Sequence, residues 1–156
     1  MSKLSHVDSS GKVSMVDIST KQQTAREASA EAFLTMKSTT MDLILTDKIP
    51  KGDVLATARI AAIQAAKKTS ELIPLCHPLS LSHVQVDFER VDQQTLRIET
   101  CCRVHGRTGV EMETLTATAI AALTVYDMIK SVEKGVVIEC VQLVSKSGGK
   151  SGTWNR

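Results

Sequence analysis

Two stretches of alternating character, residues 83–90 and 96–104, constrain this chain more than anything else in it. In the first, Val84, Val86 and Phe88 alternate with polar neighbours; in the second, Leu96, Ile98, Thr100, Cys102 and Val104 share one face. A period of two marks a strand with one buried side. The polar link Asp92-Gln93-Gln94 makes the pair a β-hairpin. The rest of the chain must supply what covers the buried side.

Residues 26–36 fit two templates. As a strand they place Ala28, Ala30, Ala32, Leu34 and Met36 on one face; as a helix they align Ala25, Ala28, Ala32 and Met36 but leave out Ala30 and Leu34. The strand reading captures more and is preferred. Residues 38–45 read as a short helix. Asp53 can cap a second, in which Leu55, Ala58, Ala62 and Ala65 recur at helical spacing up to residue 67. A long helix rich in alanine and threonine is expected over residues 110–132, stopped by Gly135, with a last apolar strand over 136–144. The resulting order is strand, helices, strand, strand, helix, strand. It predicts an α+β protein of ferredoxin-like, split-βαβ type: an antiparallel sheet with helices packed on one face. The 156 residues fit a single domain over 1–156, with 1–20 as an extended arm and 146–156 as a flexible Gly/Ser/Lys tail. Such a fold hosts many functions and names none.

Composition narrows the functions. Lys plus Arg is 19 and Asp plus Glu is 17, an excess too small to imply a polyanion partner. Only Phe33, Phe88, Tyr126 and Trp154 are aromatic. An RNA-binding domain with the same element order would need stacking residues on its strands, so no nucleic-acid partner is expected. No apolar run nears the ~20 residues that cross a bilayer, so no membrane partner is expected either. The first residues carry no apolar core behind their charge. A cytoplasmic location follows as an expectation, with Cys76, Cys101, Cys102 and Cys140 as free thiols. There is no Cys-x-x-Cys or His-x-x-x-His, and Cys101 and Cys102, adjacent on a strand, point to opposite faces; no metal site is expected.

Four places could hold chemistry. Cys76 and His77 lie between Pro74 and Pro78, which stiffen the loop that presents them. The pair suits acid–base work or phosphate binding, and equally a plain turn. Glu111 and Glu113 open the long helix, where carboxylates favour the dipole; Arg107-Thr108-Gly109 before them could instead shape an anion site. Asp127 and Lys130 share a face near the helix end, as a surface ion pair or as a lysine positioned by a carboxylate. Asp127 favours the charged form of Lys130, which reads more easily as an acid than as a base. The fourth is a scatter of cations: Lys21, Arg26, Lys51, Lys67, Lys68, Lys146 and Lys150. Lys51 stands at a helix entrance, and the Gly-Gly-Lys-Ser near the end fails as a P-loop because too little chain follows it. Glu113 and Asp127 are 14 residues apart. On one helix that separates them by ~21 Å, so one compact site in one subunit could hardly use both: either only one end is functional, or a symmetric dimer brings one chain's Glu113 end to another's Asp127 end.

With those residues in view, the sequence resembles the MoaC family, the cyclic pyranopterin monophosphate synthases of molybdenum cofactor biosynthesis. The matching segments are Met15-Val-Asp-Ile-Ser19 with Lys21 and Arg26, Lys51-Gly-Asp53, Ala56-Thr-Ala-Arg-Ile60 and Leu72-Ile-Pro-Leu-Cys-His-Pro-Leu79. They continue with Thr108-Gly-Val-Glu-Met-Glu-Thr114, Ala121-Ala-Leu-Thr-Val-Tyr-Asp-Met128 with Lys130, and Lys146-Ser-Gly-Gly-Lys-Ser-Gly152. Each string is weak and the ordered set is specific. The resemblance implies conversion of 3′,8-cyclo-7,8-dihydro-GTP to cyclic pyranopterin monophosphate with release of pyrophosphate, a lyase-type rearrangement. It implies a homohexamer, a trimer of dimers with sites between subunits, supplied by a radical-SAM enzyme. Carried onto this chain, Lys51, Asp127 and Lys130 become catalytic. Leu75, Cys76, His77, Met112 and Glu113 line the substrate pocket, with Glu111 behind them. Arg26, Lys21, Lys67 and Lys146 meet the triphosphate. No cofactor is required; Mg2+ could accompany the triphosphate. The competing expectation is a non-catalytic, regulatory nucleotide-binding module on the same scaffold.

Overall fold

A computed structural model describes residues 6–8 and 10–156 of the chain. Its elements are β1 (Thr24–Thr35), α1 (Ser38–Leu45), α2 (Val54–Lys67), α3 (Thr69–Leu72), β2 (His83–Arg90), β3 (Thr95–Gly106), α4 (Glu111–Ile129), β4 (Val137–Ser147) and β5 (Trp154–Asn155). The sheet runs β2-β3-β1-β4-β5 with every neighbour antiparallel. This is the expected ferredoxin-like order, extended at one edge by a two-residue strand. Among the described residues no helix is long and apolar enough to cross a membrane.

β1 is the central strand, and its burial resolves the ambiguity of residues 26–36. Ala28, Ala30, Ala32 and Leu34 are all buried, while Glu27, Ser29, Glu31 and Phe33 face the other way. β3 repeats the pattern with Leu96, Ile98, Thr100, Cys102 and Val104 inward. Cys102 is buried and its neighbour Cys101 half-buried on the opposite face; all four cysteines are free thiols. α4 lies across these inward faces, with α2 packed beside it. Its contact stripe is Thr114, Ala117, Thr118, Ala121 and Val125. Small side chains on both helix and sheet let the two layers approach closely, and three threonines use that closeness. Thr100 Oγ1 donates to the Thr114 carbonyl at 3.0 Å and lies 2.6 Å from Thr118 Oγ1, so each buried hydroxyl has a partner. The opposite sheet face is polar: Arg97 reaches Glu31, Glu89 and Glu99, and Gln142 donates to Glu31.

Some boundaries differ from those read off the sequence. α4 ends at Ile129, not near 132, because Ile129 is the last residue of the run that the core buries; Ser131 and Val132 are exposed, and the chain leaves through a turn closed onto the Ile129 carbonyl. The tail expected to be flexible over 146–156 is partly strand. β4 continues through Lys146 and Ser147, and Trp154–Asn155 returns to pair with Ser145 and Lys146. Arg156 pins that return by donating to the Leu143 carbonyl and stacking over Trp154. The arm expected over 1–20 lies in part outside the described residues. Its described part includes an isolated bridge between Val7 and Val13 and a carbonyl at Val16 that meets His77.

The close helix–sheet seam generates a prediction. Ala28 is 1% exposed on the face of β1 that α4 covers, so a larger side chain there has nowhere to go. Ala28→Leu should lower stability in urea unfolding by about 1–3 kcal/mol through overpacking. Ala25→Leu, at an exposed position of the same strand, should cost less than about 0.5 kcal/mol.

Candidate active site

Two groups of side chains stand at opposite ends of α4. At its C-terminal end, Lys51 Nζ donates to Asp127 Oδ2 at 3.0 Å and to the Asp127 carbonyl at 2.7 Å. Lys130 Nζ lies 2.6 Å from Asp127 Oδ1. One carboxylate therefore holds a lysine on each oxygen. Local structure puts them there. Gly52, at φ +101°, turns the chain after Lys51, and Asp53 accepts from the Ala56 N–H to cap α2. Lys130 is the first residue past α4, three beyond Asp127. The hydrogen bonds from Lys130 and then Lys51 hold the Asp127 carboxyl below the usual range, and Asp127 in turn raises Lys130. Lys130 is thus held as an ammonium that gives up its proton less readily than a free lysine. To act as an acid it must first be released from Asp127.

At the other end of α4 a cavity of about 340 Å³ adjoins its first turn. Leu75, Cys76 and His77 enter from the proline-stiffened loop; Glu111, Met112 and Glu113 enter from the helix. The His77 Nε2 is 2.8 Å from the Val16 carbonyl. A carbonyl can only accept, so this nitrogen carries the hydrogen. Glu113 is 4% exposed, and burial pushes its carboxyl up to about 7, with Glu111 adding to the shift. Burial, and then the Glu113 charge, also raise the Cys76 thiol. Cys76 is therefore a poor thiolate, and the Cys76–His77 pair does not form a nucleophilic dyad.

The cavity opens into a groove of about 800 Å³ with which it shares Lys21, Thr108, Gly109 and Glu111. Five cationic side chains line the groove, Lys21, Arg26, Arg107, Lys146 and Lys150, against a single carboxylate, Glu111. Arg26 is anchored by donating from Nε to the Gly106 carbonyl at 3.2 Å. Gly148 and Gly149, at φ +91° and +73°, press on the Ala25 carbonyl and the Arg26 guanidinium, where any Cβ would collide. The glycines of the Gly-Gly-Lys-Ser segment thus serve close packing against Arg26, and Lys150 rides on that loop into the groove. Thr24 Oγ1 belongs to a groove-lining residue. Among the described residues it is the one buried side-chain polar atom without a partner.

Most residues singled out in the sequence fall into these three places. Lys51, Asp127 and Lys130 form one cluster; Leu75, Cys76, His77, Met112, Glu111 and Glu113 share the cavity; Lys21, Arg26 and Lys146 share the groove. Lys67 is exposed in the last turn of α2 and lines neither space. Arg107 and Lys150 join the groove although the resemblance did not single them out. Their signal was positional: Arg107 precedes Thr108-Gly109, and Lys150 sits inside the glycine pair's loop. Val16 and Ile18 also line the cavity, contributed by an arm whose sequence has no period to announce it. Among the described residues no three His, Cys, Asp or Glu gather as metal ligands.

Fold and site together define a class: ferredoxin-like α+β proteins with a small-molecule-sized cavity that opens into a cationic groove. Comparison with known families is more specific. The MoaC family profile matches residues 15–149, and this chain belongs to the MoaC family. Its members are cyclic pyranopterin monophosphate synthases, enzymes that serve molybdenum cofactor biosynthesis. Among solved structures, the full extracellular region of zebrafish Gpr126/Adgrg6 aligns at 14% identity and a TM-score of 0.32. The alignment covers 88% of this chain and only 15% of that one, and a likeness so slight carries no argument.

The buried Glu113 makes stability depend on pH. Its carboxyl titrates near 4.5 in the unfolded chain and at about 7 in the folded one, so between those values the folded state binds the extra proton. Stability must then fall as pH rises through that window, by about 3 kcal/mol in all. Glu113→Gln should remove this slope. Unfolding curves of the two proteins should diverge steadily from pH 5 to 7, the variant becoming relatively more stable.

Proposed function

We propose that this chain converts 3′,8-cyclo-7,8-dihydro-GTP to cyclic pyranopterin monophosphate and releases pyrophosphate, as a lyase. The observation that carries the reading is the union of cavity and groove. A substrate with a purine-derived heterocycle at one end and a triphosphate at the other needs a small enclosed space joined to a cationic track. Here the two share four residues. In this reading Leu75, Cys76, His77 and Met112 surround the heterocycle. Glu113, near its titration point at neutral pH, is able to donate or accept a hydrogen bond at the ring edge. Lys21, Arg26, Lys146, Arg107 and Lys150 face the phosphates and stabilise the charge that builds as pyrophosphate leaves. Lys67 lies too far along α2 to line either space and would act only from a neighbouring subunit.

Ring opening and closure need several proton transfers, and Lys51, Asp127 and Lys130 are suited to them. Lys51 and Lys130 trade protons with the substrate, each giving one as the ammonium and taking one back as the amine, while Asp127 orients them or relays between them. That cluster is ~21 Å along α4 from Glu113, so we propose that it serves the cavity of a neighbouring copy, as in a homohexamer built as a trimer of dimers. The product chemistry calls for no resident cofactor, and Mg2+ would arrive on the triphosphate. We place the reaction in the cytoplasm, downstream of a radical-SAM enzyme that forms the cyclised nucleotide, with no role for nucleic acid or membrane.

The test is anaerobic incubation of the protein with the cyclised dihydro-GTP, with pyrophosphate and the pterin product measured together. Both should appear in equal amounts. Binding without product would make the chain a regulatory nucleotide-binding module instead. Lys51→Ala and Lys130→Ala should each reduce turnover by about 100-fold or more, the usual worth of a positioned acid or base, while leaving the assembly intact. Near-normal turnover in both variants would remove them from the chemistry.

A further inference from the structure

Glu111 stands where cavity and groove meet, and its carboxylate is out of place there. Among the described residues it is the only acidic group lining the groove, with five cations around it. It does not point away from them. Glu111 Oε1 accepts from Lys146 Nζ at 2.9 Å, and the same carboxyl folds back over Gly109 so closely that a Cβ on Gly109 would strike it. The first turn of α4 has no side-chain cap of its own: its N-cap residue is Val110, and no side chain bonds there. Glu111 therefore lays a negative charge over an uncapped helix start and onto one lysine of the groove. Those are the two features an incoming phosphate would use.

We propose that Glu111 is an internal stand-in for a phosphate group. In the empty protein it neutralises Lys146; an entering polyphosphate displaces it, and it returns as the phosphates leave. This rests on the groove being the phosphate track described above and assigns Glu111 a role in how tightly that track holds its anion. Both partners are about one-third exposed, so the pair is weak enough to exchange. The groove's other cations remain to receive the anion while Lys146 changes partner. Glu111 is on this account a positioning and affinity-setting residue, and its charge works against binding.

The sign of that effect separates it from a supporting role. If Glu111 merely held Lys146 in place for the substrate, removing its charge would weaken phosphate binding. If it competes, removing its charge strengthens binding. Calorimetric titration of the intact protein with inorganic tripolyphosphate reads the difference without any turnover. Glu111→Gln should bind about two- to fivefold more tightly than the unaltered protein, the scale of one modest ion pair released. In the Glu111→Gln, Lys146→Ala double variant most of that gain should vanish, because no lysine is freed. Equal or weaker binding by Glu111→Gln, or a gain that survives loss of Lys146, overturns the proposal. Failure of both proteins to bind tripolyphosphate would overturn the phosphate reading of the groove, and the stand-in with it. Normal turnover of the cyclised nucleotide, together with unaltered tripolyphosphate affinity in the variant, would leave the reaction assigned and reject only the stand-in.

Discussion

The seam between α4 and the two central strands governs the rest of this protein. Alanines on β1 and on α4 let helix and sheet meet closely, and the Thr100 hydroxyl on β3 finds its partners, the Thr114 carbonyl and the Thr118 hydroxyl of α4, only at that distance. A buried hydroxyl without a partner costs more than a bond contributes, so the seam is specific as well as tight. It fixes both the rotation and the axial position of α4. Once these are set, Glu113 is pressed into the protein at one end and Asp127 is left at the surface at the other. The seam thus decides which carboxyl is buried and which is solvated.

That difference in surroundings gives two acids of the same helix opposite character. Burial raises Glu113 to about 7; hydrogen bonds from Lys130 and Lys51 lower Asp127. Environments that drive two carboxyls apart in this way suit them to different tasks, which is the division the proposed reaction assigns them. The 14 residues between them put ~21 Å of helix between the two groups, which is the physical ground for proposing that a neighbouring copy supplies the second. Groove cations add a third environment, in which positive charge is concentrated and, among the described residues, only Glu111 opposes it.

Much of the fold was legible from the residues. Alternation in 83–90 and 96–104 has no helical interpretation, and β2 and β3 lie where it put them. Residues 26–36 were harder because alanine suits both templates, and burial on both β3 and β4 sides settled them as the central strand. The end of α4 differs from its expected place because propensity continues past Ile129 while packing does not. Gly, Ser and Lys near the C-terminus read as tail; Trp154 pairing and Arg156 anchoring cannot be seen until β4 is in place to receive them. α1 offers a further case. It has no cap of its own, and Glu133, 93 residues beyond Thr40, supplies one through the Lys37 N–H and the Thr40 hydroxyl.

The candidate site divides along the same line. Residue identities, their order, and the 14-residue spacing on one helix are properties of the chain alone, and they carried the family resemblance and the separation of the two carboxyls. Periodicity and helix geometry are local, so the sequence suffices for them. Only the tertiary structure could decide that Lys51 comes back 76 residues to meet Asp127, and that Arg107 and Lys150 join Lys21, Arg26 and Lys146 in one groove. Nor could the chain alone show that Lys67 stands outside it. Those outcomes depend on how strands and loops distant in sequence are brought together, and on the dielectric surroundings that packing then creates around each charge.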